Sequence, residues 1–229
     1  MKLAWRSLLR DARLRLELQL GNRLVLFAVA DLVLLAAGLV EALISTGEPR
    51  DLYFRMVLLP SLLLGLPALA DLVALERHAG SLDLALATPD PRAYFVRRAA
   101  TVGALLTAQA AAIVLALWLV EGCGFPLLPP LLHALVCNLL LTAAAGFWAV
   151  RIETAGGVWF STLATIVAFG RWFFANPVAA RGDDIPRAFL PAARECFEWA
   201  GRLAVLALAA ALFYAYARRR LAHPEKILT

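Results

Sequence analysis

The chain has 229 residues, a hydrophobic fraction of 62%, 17% charged residues and a net charge of +5, with a mean hydropathy of +0.75. Soluble domains run at about 45–50% apolar and about 25% charged, so a water-soluble fold of this length would leave much apolar surface uncovered. A bilayer accepts that surface because it is itself the apolar solvent. The positive charge then reads as arginines that orient a membrane protein rather than as a nucleic-acid platform, since no basic stripe is interleaved with aromatics.

Residues 2–20 read as a helix lying on the membrane surface. Lys2, Arg6, Arg10, Arg13 and Glu17 gather on one stripe, and Trp5, Leu9, Ala12, Leu16 and Leu20 on a neighbouring one. A basic amphipathic helix carrying a Trp suits an anionic headgroup layer; packing on a partner protein is the alternative. The arginines interrupt any apolar signal-peptide core, and no small-residue cleavage site follows.

Six apolar segments come next, near 24–44, 56–75, 99–120, 128–150, 158–175 and 200–217. Each approaches the roughly 20 residues that cross hydrocarbon as a helix. Continuous apolarity rather than alternation selects helices over barrel strands. The expectation is one all-α integral membrane domain over 1–229, with six transmembrane helices, the surface helix at 1–22 and an outer loop at 176–199. With the N-terminus inside, the outer segments hold Arg50, Arg55, Arg171, Arg181, Arg187, Arg194 and Arg202. The remaining cations of the 22 fall inside, which favours cytoplasmic termini in an inner (cytoplasmic) membrane.

The stretch from Glu76 to Pro89 carries the most information. Gly80 can break the helix that leaves the membrane. Ser81 suits an N-cap and Asp83 the first turn of a new helix. Leu82, Ala85 and Leu86 give that helix an apolar face, and Pro89 and Pro91 end it. A loop needs no apolar face unless it docks on something, so a short amphipathic helix on the cytoplasmic side is expected over 76–91.

The run ERHAGSLDLALATPDPRAYFVRR resembles the signature of type-2 ABC exporter permeases: a Glu, then Gly-(Ser/Thr)-Leu-(Glu/Asp), then a Thr-Pro or Ser-Pro pair. Within that superfamily the chain is most similar to the small permeases of the cytochrome c maturation haem exporter, in its size and in the stretch at Gly156–Phe169. Arg171 and Trp172 depart from the proline-rich fifth span of those permeases. The resemblance implies that Glu76, Arg77, Gly80, Ser81, Leu82, Asp83, Leu86 and Pro89 form a coupling helix seated in a cytoplasmic ABC ATPase. It also implies a homodimer or a second permease subunit, and a hydrophobic or amphiphilic substrate, with haem maturation one possibility. ATP and Mg would sit on the partner chain, with no cofactor bound here.

The chain has no G-x-x-x-x-G-K-[ST] phosphate loop and its only lysines are Lys2 and Lys226, so it carries no motor of its own. Ser61, Ser81 and Ser161 lack a G-x-S-x-G context, no H-E-x-x-H pair is present, and no catalytic or metal set is expected. Cys123, Cys137 and Cys196 contain no CxxC pair; Cys123 and Cys196 fall on one side of this topology, which leaves a bridge between them open. Polar groups at membrane depth are costly and mark candidate substrate-path residues: Asp31, His133, Arg171 and Trp172. Gln109 and Asn138 fit interhelical hydrogen bonding instead. A membrane scaffold or intramembrane enzyme is the competing reading.

Overall fold

A computed structural model describes residues 29, 32–34, 36–37, 40, 53–78, 90–121, 127–174 and 193–221. The described elements are all helices, with no strand among the described residues. A π-helical turn, Phe54–Leu58, runs straight into α1 (Leu59–His78). Then come α2 (Pro91–Glu121), α3 (Leu128–Ala149), α4 (Ala155–Ala168), the four-residue α5 (Gly170–Phe173) and α6 (Ala193–Arg220).

Three of these helices are long and apolar enough to cross a membrane: Ala93–Leu119, Leu128–Ala149 and Phe197–Arg220. The described apolar stretches Phe54–Ala70 and Ala155–Ala168 are shorter. At 1.5 Å per residue α4 is about 21 Å long, less than the roughly 30 Å of a hydrocarbon core. The apolar segment near 158–175 is therefore broken where a continuous helix was expected. The chain leaves helical geometry at Phe169, with φ −87° and ψ 8°, and resumes as α5. The expected spans near 24–44 and the surface helix at 1–22 fall mainly or wholly outside the described residues.

Helix starts follow local chemistry. The Oδ1 of Asp90 accepts the Ala93 N–H at 3.0 Å, and Pro91, which lacks an N–H, takes the first helical position. The sequence places Pro91 at the end of the short coupling helix; in the structure it opens α2, and the helix expected from 99 begins there. Pro129 and Pro130 occupy the first turn of α3. The Thr154 side chain accepts the Gly157 N–H at 3.2 Å and starts α4. Within the helices, the hydroxyls of Ser61, Thr101, Thr107, Thr142, Thr162 and Thr165 each donate to the carbonyl four residues back. None of these donors is then left bare in apolar surroundings.

The α3 helix is the hub and packs against α1, α2, α4 and α6. Leu140, Leu141 and Ala144 on it are fully buried. Close approach is set by small residues. A Cβ on Gly65 of α1 would lie 2.7 Å from Leu106 Cδ1 and 2.8 Å from Leu141 Cδ2, so three helices meet there closely enough that an added methyl group would have to push leucine side chains aside. Gly103 of α2 is similarly close to Thr142, 2.8 Å from its Oγ1.

These contacts orient the bundle. Gly65 and Leu106 are about 20 Å and 22 Å of helix from His78 and Pro91 respectively, so α1 and α2 are antiparallel neighbours joined by the segment after His78. The same end holds the close of α3 and α6, because the Arg151 Nε donates to the Tyr216 hydroxyl at 3.1 Å. Among the described side chains it carries Arg97, Arg98, Arg151, Arg218, Arg219 and Arg220. Arg55, Arg171 and Arg202 belong to the other end.

Candidate functional site

The end opposite the arginine cluster contains a buried polar knot. It exists because α5 is too short to satisfy its own carbonyls. His133 of α3, 1% exposed, lies under it. Its Nε2 donates to the Trp172 carbonyl at 3.3 Å, and its Nδ1 accepts from the Tyr53 hydroxyl at 2.8 Å. The same hydroxyl lies 3.4 Å from the Pro130 carbonyl. One helical turn along α3, the Cys137 thiol reaches the Phe173 carbonyl at 3.7 Å. The C-terminal carbonyls of α5 are thus capped by side chains from a different helix. Both ring nitrogens of His133 are engaged, so a neutral imidazole satisfies the knot without a ligand.

This arrangement places the sequence candidates. His133 and Trp172 are brought together, but the link is through the Trp172 backbone carbonyl; the indole is half-buried beside Phe169, with ring centroids 6.0 Å apart. Arg171 is exposed on α5. Asp31 lies outside the described residues. Glu76 and Arg77 are in the last turn of α1. Gly80, Ser81, Leu82, Asp83, Leu86 and Pro89 lie outside the described residues, as do Cys123 and most of the loop at 176–199. Gln109 is half-buried on α2. Asn138 is 2% exposed, and its Nδ2 has no hydrogen-bond partner among the described residues. Among the described residues no cluster of His, Cys, Asp and Glu could hold a metal ion.

A second feature was not legible from the residues. A groove of about 380 Å³ runs along α3 between α2 and α6, toward the arginine-rich end. Its floor includes Ala143 and Gly146, its walls Ala99 and Ala210, and Arg218 stands at its end with Tyr214 one turn below. Ala and Gly make the space: α2 and α6 both pack beside α3, and short side chains leave a slot between them. A Cβ built on Gly146 meets nothing within 4 Å. The volume falls in the range of about 300–1,000 Å³ usual for small-molecule sites.

Beside the groove's end, two guanidinium groups converge on one phenol. The Tyr216 hydroxyl accepts from Arg151 Nε at 3.1 Å and from Arg220 Nε at 3.2 Å. Arg151 also lies over the rings of Phe147 and Tyr216, 5.1 Å from each centroid. Such stacking holds Arg151 against the bundle while leaving it exposed to water or headgroups.

Comparison of the chain with protein-family models, with curated proteins and with solved structures yields no match.

Proposed function

We propose that the chain is the permease subunit of an ATP-binding cassette exporter, driven by a separate cytoplasmic ATPase and moving a hydrophobic or amphiphilic substrate. The observation that supports this reading is where the flanking helices end: α1 closes at His78 and α2 opens at Pro91, both at the end of the bundle where arginines concentrate, and the sequence between them contains Gly80-Ser81-Leu82-Asp83. Excess arginine marks the cytoplasmic side of a membrane protein, which is where an ATPase docks. The signature resembling type-2 exporter permeases therefore has the setting that a coupling helix needs.

On this reading Glu76, Arg77, Gly80, Ser81, Leu82, Asp83, Leu86 and Pro89 engage the ATPase, and closure of two ATPases on ATP and Mg levers α1 and α2 together. A second permease copy or a second subunit completes the assembly. The chain has no catalytic role of its own, and its site is the inner membrane with both termini in the cytoplasm. Haem maturation is the substrate setting that the resemblance implies. The buried knot around His133 serves as a brace rather than a substrate ligand, because its polar atoms are already paired.

The test is the double variant Glu76→Ala with Leu82→Asp in the assembled complex. The ATPase is expected to stop co-purifying, or to lose its stimulation by the membrane subunit. Normal stimulated hydrolysis in that variant counts against the assignment. With Cys123, Cys137 and Cys196 replaced by Ser, a cysteine introduced as Ser81→Cys should react with an impermeant maleimide from the cytoplasmic face alone, and labelling of that cysteine from the opposite face removes the basis for the reading.

A further inference from the structure

We infer that the groove along α3 binds an anionic phospholipid, with one acyl chain along the alanine walls and the phosphate on Arg218. This site is independent of the transport reading above, since it requires only that the bundle stand in a bilayer.

Three observations lead to an amphiphile. The slot is walled by Ala99, Ala143, Gly146 and Ala210, and Arg218 is its one charged lining residue among those described. A long apolar channel that ends in a cation fits a long apolar chain that ends in an anion. Its length agrees. From Leu139 to Val150 along α3 the groove covers about 16 Å, and from Ala207 to Leu221 along α6 about 21 Å. One leaflet of hydrocarbon is about 15 Å deep, half of the roughly 30 Å core. The charged end also lies where headgroups lie. Arg151, Arg219 and Arg220 share that end, and Tyr214 sits one turn below Arg218, the depth at which tyrosines collect in membrane proteins. An anionic headgroup meets attraction from all of them.

The rival occupant is a helix from a second copy of this chain, for which small residues would also serve. Charge argues against it. Two copies in one bilayer are related by an axis along the membrane normal, which places like ends side by side. Arg218 would then face the partner's arginine-bearing end, with attraction replaced by repulsion.

Gly146 supplies a clean test because the space above it is open. A Cβ there meets no neighbouring helix, so a Leu side chain extends from it into the groove, and Leu is a better helix former than Gly. The full chain would be purified in detergent with mixed phosphatidylglycerol and phosphatidylcholine, and bound lipid counted by native mass spectrometry. The wild type is expected to retain phosphatidylglycerol at least about fivefold over phosphatidylcholine, on the scale of one charge-assisted contact. Arg218→Gln should remove most of that preference, whereas Arg219→Gln, one residue away, exposed and outside the groove lining, should keep most of it. Gly146→Leu should lose bound lipid of both kinds while its unfolding temperature holds or rises. The inference is overturned if Gly146→Leu stays folded and retains phosphatidylglycerol like the wild type. It is also overturned if the wild type retains both lipids equally. A lipid-free dimer that Gly146→Leu converts to monomer would assign the groove to a second copy and overturn it as well.

Discussion

Gly65 and Gly146 are both helical glycines in the same bundle, in opposite surroundings. At Gly65 a single added carbon would lie 2.7 Å and 2.8 Å from leucine side chains of two other helices; at Gly146 it would meet nothing within 4 Å. One glycine is there because α1, α2 and α3 touch. The other leaves a slot where α2 and α6 do not close over α3. In lipid there is little hydrophobic drive between helices, so close packing holds them together. The first region is therefore a structural contact, and the second is space that packing alone does not require. A membrane bundle that needed only stability would fill the groove at Gly146.

The contrast can be broken most forcefully at the buried knot, which belongs with the packed region. His133→Ala should cost about 2–4 kcal/mol, because it opens a cavity and leaves the Tyr53 hydroxyl and the Trp172 carbonyl without their partner. Reversible unfolding in detergent would measure it; a loss below about 0.5 kcal/mol would mean that the knot braces nothing. Gly65→Ala comes next, at about 1–3 kcal/mol of overpacking, read by the same unfolding curves. Leu106→Ala in the same chain should recover part of that loss if the clash is the cause. Trp148→Phe should cost about 1 kcal/mol by removing the 2.9 Å hydrogen bond from its indole nitrogen to Thr165 Oγ1. Adding Thr165→Val should return most of it, since neither partner is then left unpaired. The smallest effect has the opposite sign. Gly146→Ala should stabilise by up to about 1 kcal/mol, the helix-propensity gain of Ala over Gly in open space. Destabilisation at Gly146 would erase the distinction between the two regions.

The helical class could be read from composition, because apolar runs of that length have few other solutions. Three of the expected membrane helices stand as apolar helices of spanning length. The start of α2 was misread for a physical reason. Proline both ends a helix and opens one, and the Asp90 side chain that caps Ala93 decides in favour of opening. The break at Phe169 was hidden because hydropathy responds to side chains, whereas the break is a matter of backbone carbonyls. The carbonyls that close α5 just beyond it, those of Trp172 and Phe173, are met by His133 and Cys137, residues 39 and 36 positions away in sequence. His133 itself was visible as a lone polar group at depth. Its partner Tyr53 is 80 positions away, and no local pattern pairs them. The groove was unreadable for a different cause. Alanines at membrane positions look like filler until the packing of three helices reveals what they leave open.

The break at Phe169 has a mechanical consequence. On one side of it, α4 is tied to α3 through Trp148 and Thr165; on the other, α5 is tied to α3 through His133 and Cys137. Two short rods moored to the same mast cannot slide along it separately. If the mast tilts, both rods tilt with it, and the joint between them absorbs the strain by turning rather than by stretching.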